Sequence, residues 1–275
     1  MVATPIGNLD DMTFRAVDVL ARADHIACED TRVTGKLLKH FGIDTPTFIY
    51  NDHNGARVRP RVLDDLRNGK AVAMVSDAGT PLISDPGYKL VKACADEAIK
   101  VVPVPGASAL LAGLTVGGLP TDRVLFVGFL PSKKKARQTA LSELVSINAT
   151  LVFYEAGPRL AASLSDMVLQ LGPRPAAVAR ELTKMYEEVR RDSLDQLALD
   201  YAMAQAPKGE LVVVVGPPTK LSGGDTIDID HALQTALKTM SVRDAAADVA
   251  EQTGRPRRDL YGRALELKRG RAGEQ

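Results

Sequence analysis

Short apolar runs alternate with amphipathic stretches along the first 120 residues. The runs are mostly apolar, as expected of strands that are buried on both faces. Between them, Phe14, Val17, Leu20 and Ala21 recur at helical spacing. This β-α-β-α order predicts a mainly parallel sheet that is covered by helices on both faces. The predicted strands of this region are 2–4, 25–28, 47–50, 71–76 and 101–104.

A break rich in glycine and proline at residues 117–120 precedes a second set of strands and helices. Beyond about residue 225 the strand pattern is absent, and three short helices are predicted. We therefore expect an α/β protein with domains at 1–118 and 119–218, followed by a small, basic helical module at 225–275. The predicted strands of the second set are 124–129, 151–154, 176–179 and 211–215, with helices at 136–146, 159–170 and 193–204. The helices predicted in the tail are 229–239, 242–253 and 258–268.

Composition excludes several classes of protein. The 275 residues carry 35 Lys+Arg against 34 Asp+Glu, so any binding of nucleic acid must depend on local basic patches. Cys28 and Cys94 lie in apolar runs, which favours buried thiols in a reducing compartment. No apolar run is long enough to span a membrane, and the first residues do not resemble a signal peptide. We therefore expect a cytoplasmic protein with no membrane partner.

Polar or glycine-rich loops follow all five strands predicted in the first domain. Ligands of open parallel sheets bind beyond the carboxyl ends of the strands, so these loops should form one large site. Each loop also has a simpler interpretation. Ser84 and Asp85 would cap the next helix, Asp30 and Arg32 would form a surface ion pair, and the glycines would serve tight turns. The five loops are 5–9, 29–32, 51–54, 77–87 and 105–109.

Several common active-site motifs are absent from these loops. The chain has no phosphate-binding G-x-x-x-x-G-K-[ST], no G-x-G-x-x-G after the first strand and no G-x-S-x-G. Asp77 and Asp85 lie among prolines and glycines, a pattern more typical of a backbone cradle than of a metal cage. We therefore expect no metal.

The order of the motifs along residues 2–216 resembles the tetrapyrrole methylase superfamily. The motifs are PIGNL at 5–9, EDTR at 29–32, SDAGTP at 76–81, SDPG at 84–87, PG at 105–106, GFLP at 128–131, FYE at 153–155, ARELTK at 179–184 and KGE at 208–210. The resemblance implies two α/β domains, S-adenosylmethionine (SAM) as methyl donor in the cleft between them, a homodimer and no catalytic metal. It is strongest for the branch that methylates a cytidine 2′-hydroxyl in the decoding region of 16S rRNA within the small ribosomal subunit.

The resemblance also implies which residues contact SAM. These are Ile6, Asp77, Gly79, Thr80, Ile83, Ser108, Ala109, Tyr154, Glu155, Ala179, Glu181 and Gly209.

A ribose hydroxyl must lose its proton during attack, to a positioned base or to water. Histidine is the side-chain type whose ordinary pKa suits this task best, so we take His53 as a catalytic residue, with Asp30 and Arg32 orienting the substrate. The base is not settled at this point. The candidates are Asp30, Asp52, His53, Glu155 and Glu181.

Two basic clusters are candidates for contacts with RNA phosphates, although a solvated helix face is the alternative for each. One comprises Lys133, Lys134, Lys135 and Arg137, and the other comprises Arg255, Arg257, Arg258, Arg263, Lys268, Arg269 and Arg271. Two other functions stay open: methylation of a small tetrapyrrole, and a non-catalytic rRNA-binding assembly factor. The basic tail speaks against the tetrapyrrole, and the intact loops speak against the non-catalytic factor.

Overall fold

A computed structural model of the chain describes residues 1–85, 87–218, 229–237, 240–253 and 256–272. The chain forms two compact units, Met1–Pro218 and Thr219–Gln275. Within the described residues, no helix is both long enough and apolar enough to cross a membrane.

The N-terminal half of the first unit is built on a parallel sheet in the order β2-β1-β3. Its strands are β1 (His25–Cys28), β2 (Thr47–Ile49) and β3 (Val72–Met74). Its helices are α1 (Phe14–Arg22), α2 (Thr31–His40), α3 (Gly55–Arg67), α4 (Tyr88–Asp96) and α5 (Ala109–Gly117). Cys28 and Cys94 are buried free thiols in this half, as predicted.

Two predicted strands of this half are wrong. Residues 2–4 and 101–104 form isolated bridges, in which Val2 pairs with Val104 and Thr4 pairs with Gly79. Pro103 and Pro105 flank Val104, and a proline has no amide hydrogen with which to extend a ladder.

Helix α1 turns a different face to the sheet than the sequence suggested. Ala16 and Leu20 are fully buried, whereas Phe14 is 97% exposed. Thr13 caps the helix by accepting a hydrogen bond from the amide of Ala16, which fixes where the helix starts. Phe14 is therefore the first helical residue, nearly opposite the buried face.

The second half of the first unit contains a five-stranded sheet in the order β4-β5-β8-β6-β7. Only β4 and β5 are parallel among these strands, so this sheet is mostly antiparallel rather than parallel. The strands are β4 (Val124–Phe129), β5 (Thr150–Ala156), β6 (Pro175–Arg180), β7 (Glu188–Ser193) and β8 (Glu210–Val215). The helices are α6 (Lys134–Ser142), α7 (Leu160–Leu171) and α8 (Leu194–Met203). Strand β7 was not predicted, because this edge strand is largely polar and has a partner on one side only.

The two faces of this sheet bury alternate side chains. One face presents Leu151 and Phe153 to the core that contains residues of α6, α7 and α8. The other face presents Val152 and Val212 to the core that contains residues of α5. Helix α5 of the first half thus packs on the sheet of the second half.

Arg137 is not a surface residue of the predicted basic cluster. Its side chain is 6% exposed and lies 2.6 Å from the carboxylate of Asp166, which also accepts a hydrogen bond from Gln138. The buried ion pair joins α6 to α7, so Arg137 cannot contact RNA.

The second unit comprises helices α9 (Ile229–Ala236), α10 (Val242–Thr253) and α11 (Arg257–Ala272). They pack around a small core that includes Leu233, Val249 and Leu260. Arg263, predicted as an RNA contact, forms ion pairs with Asp230 and Glu266. The predicted start of the module at 225, the helix end at 238–239 and Arg255 lie outside the described residues, as do the side chains of Arg269 and Arg271.

Candidate active site

A cleft of about 610 Å³ lies in the first unit, where loops of the N-terminal half face the second sheet. It receives residues from the loops that follow β1 and β3, from the start of α5, from the ends of β5 and β6, and from the start of β8. Eleven of the twelve residues predicted to contact SAM line this cleft: Ile6, Asp77, Gly79, Thr80, Ile83, Ser108, Ala109, Tyr154, Ala179, Glu181 and Gly209.

Hydrogen bonds hold three loops of the N-terminal half together at the cleft. Thr4 and Gly79 exchange two backbone hydrogen bonds, at 2.9 and 3.0 Å. The hydroxyl of Thr80 donates to the carbonyl of Ala107 at 3.0 Å. Gly79 has a φ of +76°, and a Cβ there would lie 3.3 Å from Ile6. Glycine is favoured at this position, because it adopts this conformation without the steric cost that a side chain brings.

The loop before α4 carries strained backbone into the cleft. Leu82 and Ser84 have φ values of 75° and 69°, in the left-handed region that non-glycine residues seldom occupy. The N-cap of α4 is Gly87, with no side-chain capping bond. The interpretation of Ser84 and Asp85 as helix caps is therefore wrong, and both residues line the cleft instead.

Strand β5 places one of its last residues in the cleft and the next behind it. The hydroxyl of Tyr154 accepts a hydrogen bond from the amide of Leu110 at 3.0 Å, which ties β5 to the start of α5. Glu155 is fully buried on the opposite face of the sheet, with Ser163 and Arg159 as partners. Successive strand residues alternate between faces. Contrary to the prediction, Glu155 therefore does not line the cleft.

The loop after β6 crosses the cleft towards the first loop of the chain. Lys184 donates to the carboxylate of Glu181 at 2.9 Å, and Glu181 has a φ of 51°. A Cβ on Gly7 would lie 2.6 Å from the Lys184 side chain, so Lys184 can take this position only because residue 7 is a glycine. Gly209 has a φ of +85°, and a Cβ on Gly209 would likewise lie too close to the side chain of Glu181.

Acidic groups dominate the electrostatics of the cleft. Burial is the main factor that raises the pKa of Glu29, Asp77 and Asp85 above their ordinary values, and neighbouring carboxylates raise it further. Among the described residues, the charged side chains of the cleft are Lys184 and the carboxylates of Glu29, Asp77, Asp85, Glu181 and Glu210. Such a cleft favours a cationic ligand over a polyanion.

The three predicted catalytic residues do not line the cleft. Asp30 caps α2 and forms an ion pair with Arg32 at 2.6 Å, which lowers the pKa of Asp30 to about 2. The Arg32 side chain is 87% exposed. His53 is exposed in a turn after β2. The simpler interpretation of Asp30 and Arg32 as an ion pair therefore describes this part of the structure.

The cleft also contains residues that were not predicted to lie there. Glu29 is the first residue after β1, and its carboxylate faces the cleft beside Asp77. It is the first residue of the EDTR motif, the only signal in the sequence that points to it. Phe129 was also missed, and its ring packs edge-on against Tyr154. No group of three or more possible metal ligands occurs within the described ranges.

Comparison with known proteins identifies the family. Residues 1–198 match the family Tetrapyrrole (Corrin/Porphyrin) Methylases, and residues 223–268 match the RsmI C-terminal HTH domain. A protein of Mesorhizobium japonicum named Ribosomal RNA small subunit methyltransferase I is 50% identical, over 98% of this chain and 91% of its own length. A protein of the same name from Erythrobacter litoralis is 53% identical, over 98% of this chain and 94% of its own. The chain belongs to the ribosomal RNA small subunit methyltransferase I family. It is therefore a SAM-dependent methyltransferase of the tetrapyrrole methylase type, which confirms the resemblance and the α/β fold predicted from the sequence.

Several solved structures share this fold. Diphthine synthase aligns with a TM-score of 0.60 at 15% identity, over 78% of this chain and 88% of its own. A uroporphyrin-III-C-methyltransferase of Thermus thermophilus aligns with a TM-score of 0.55 at 21% identity, over 81% and 95%. A further T. thermophilus structure of this enzyme, complexed with S-adenyl homocysteine, aligns with a TM-score of 0.52 at 19% identity, over 78% and 95%. At these identities the likeness concerns the fold alone.

Proposed function

We propose that this protein transfers a methyl group from SAM, bound in the cleft, to the 2′-hydroxyl of a cytidine in the decoding region of 16S rRNA. Its substrate is the small ribosomal subunit, and its place of action is the cytoplasm. The observation that carries the proposal is the convergence of eleven predicted SAM contacts on one cleft, in a chain whose relatives are named for small-subunit rRNA methylation.

The cleft fits SAM in size and charge. Pockets for small ligands usually measure about 300–1,000 Å³, and this one measures about 610 Å³. SAM carries a sulfonium and an ammonium group, and the charged side chains of the cleft are carboxylates apart from Lys184, within the described residues. Ile6 and Ile83 add apolar surface for the nucleoside.

Positioning is the main task left to the protein, because SAM brings a methyl group that is already activated. Holding two reactants in line can supply several kcal/mol of the barrier reduction. In our proposal, the loops of Gly79 and Ser108 hold SAM from the N-terminal half, and Tyr154 and Glu181 hold it from the second sheet. Hydrogen bonds of Gly79 with Thr4, of Thr80 with Ala107 and of Leu110 with Tyr154 connect these segments.

RNA phosphates must stay outside the cleft, because its carboxylates repel them. Arg32 presents an exposed guanidinium beside the site, where phosphate contacts position an RNA without reading its sequence. In the second unit, Arg257, Arg258 and Lys268 are exposed. We assign these cations to RNA binding, and we propose a homodimer, as in the wider superfamily.

The test uses recombinant protein, radiolabelled SAM and small subunits from a strain that lacks the modification. Label in 16S rRNA that maps to an alkali-resistant dinucleotide supports 2′-O-methylation, because a methylated 2′-oxygen cannot attack the adjacent phosphate. SAM binding is measured in parallel by calorimetry. If SAM binds but the subunits stay unlabelled, the rRNA substrate is wrong, and tetrapyrroles are the substrates to test next. If SAM does not bind, the assignment of the cleft is wrong.

A further inference from the structure

Methyl transfer from SAM to a hydroxyl releases one proton, and the structure narrows down the group that accepts it. Asp30 is unsuited, because its ion pair with Arg32 keeps it ionised and weakly basic. His53 and Asp52 are exposed outside the cleft, and Glu155 is buried behind it. Glu181 lines the cleft but is engaged by Lys184.

The carboxylates of the cleft differ in their partners and surroundings. Asp77 accepts a hydrogen bond from the amide of Asp30 at 3.1 Å, and Glu210 is exposed at the start of β8. Within the described part of the chain, Glu29 and Asp85 form no ion pair, but Asp85 stands in the strained loop before α4, whereas Glu29 directly follows a strand.

The position of Glu29 is also well defined. It directly follows β1, whose last three residues are buried, so the backbone that carries it is anchored in the sheet. The charged groups that act on it are the carboxylates of Asp77, Asp85 and Asp52, all of like sign. Together with burial, they raise the pKa of Glu29. A general base works best when its pKa approaches the working pH, so this shift makes Glu29 a stronger base than an ordinary glutamate.

We propose that Glu29 is the catalytic base that accepts the proton of the ribose 2′-hydroxyl during methyl transfer, an inference that rests on the proposed function. The O–H bond breaks and its proton passes to the Glu29 carboxylate. The 2′-oxygen uses the released electron pair to form the O–CH₃ bond. The S–CH₃ bond breaks with its pair retained by sulfur, so the sulfonium becomes a neutral thioether. The protonated glutamate then releases its proton to water.

The first test compares Glu29→Gln with the wild type on unmodified small subunits. We expect a decrease in kcat of about 100-fold or more, the usual contribution of a positioned base, with SAM affinity by calorimetry within about twofold. Glu143→Gln is the matched control, because Glu143 is an exposed glutamate at the end of α6, outside the cleft. Glu29→Asp should restore part of the lost rate, because it keeps a carboxylate at this position.

The pH dependence of the rate separates a base from a merely structural residue. The wild-type rate should reach a plateau above the pKa of Glu29. The rate of Glu29→Gln should keep rising by about tenfold per pH unit, because hydroxide then removes the proton.

Carbon-13 NMR of glutamate-labelled protein without SAM gives a readout that is independent of activity. One carboxyl resonance should titrate above the ordinary value of 4.5, and it should disappear in Glu29→Gln.

Three results would overturn the proposal. They are a Glu29→Gln rate within threefold of wild type, a plateau in the Glu29→Gln pH profile that matches the wild type, or loss of SAM binding in this variant. In the last case Glu29 would be a ligand of SAM rather than a base. If the wild type labels no subunits while binding SAM, the proposed function fails instead, and the base assignment falls with it.

Discussion

Replacing Gly113 by alanine should push helix α5 away from strand β8 and disturb the cleft. Gly113 faces Val212, and a Cβ on Gly113 would lie 2.5 Å from one methyl of Val212 and 2.7 Å from its Cβ. Ordinary contact begins at 3.4 Å, so about 1 Å is missing. Val212 lies on β8, between β5 and β6, and a β-branched side chain has little rotamer freedom, so the helix has to move.

Gly117 provides a matched control on the same face of α5. A Cβ on Gly117 would lie 3.6 Å from the side chain of Val214, which is ordinary contact. Both substitutions gain up to about 1 kcal/mol of helix propensity, but only Gly113→Ala overpacks the interface, at about 1–3 kcal/mol. We therefore expect Gly113→Ala to be less stable than Gly117→Ala by about 1–3 kcal/mol.

Urea unfolding followed by circular dichroism measures the difference in stability, and calorimetry measures SAM affinity. SAM affinity should fall in Gly113→Ala more than in Gly117→Ala, because Ser108 and Ala109 at the start of α5 line the cleft. In a Val212→Ala background the same substitution at Gly113 should cost less, because the clashing methyls are gone. Equal stability of the two glycine variants, with no coupling to Val212, would refute this account of the packing.

Three further perturbations test other contacts. Asp166→Ala should destabilise the protein by about 3–5 kcal/mol in urea unfolding, because it leaves the Arg137 charge buried without a partner. Asp30→Asn should reduce the loss of stability in acid, measured by thermal melts across the acid range. The pKa of Asp30 is lowered from 3.8 to about 2. Its carboxylate therefore stabilises the fold at higher pH, and this contribution disappears as the pH falls through that range. Tyr154→Phe should cost about 0.5–1.5 kcal/mol in urea unfolding and weaken SAM binding, because the amide of Leu110 loses its acceptor at the cleft.

Each of these expectations has a contrary result. A cost below about 1 kcal/mol for Asp166→Ala would mean that water reaches the ion pair. Identical acid melts for wild type and Asp30→Asn would mean that the Asp30 carboxylate is not held by Arg32 in solution. Unchanged SAM affinity in Tyr154→Phe would separate the hydroxyl from the binding site.

Local sequence patterns determined where most elements lie and which loops carry the chemistry. The apolar runs at 25–28 and 124–129 became strands within the same bounds, because a run of buried apolar residues is a local signal. The loops of Glu29 and Gly79 reached the cleft, because β1 and β3 are parallel and present their carboxyl ends on one edge. The family motifs likewise depend on residues that are close together in the chain.

Only the tertiary structure decided which side chain of each motif faces the cleft. Glu29 faces it whereas Asp30 turns to Arg32, and Tyr154 faces it whereas Glu155 lies behind the sheet. Neighbours in a strand or a tight turn point in different directions, and which one points inward depends on register with a strand far away in sequence. For β5, one such partner is β8, an antiparallel strand that begins some sixty residues later in the chain. A one-residue change of that register would exchange the two faces, so this part of the site is a property of the folded chain rather than of any single motif.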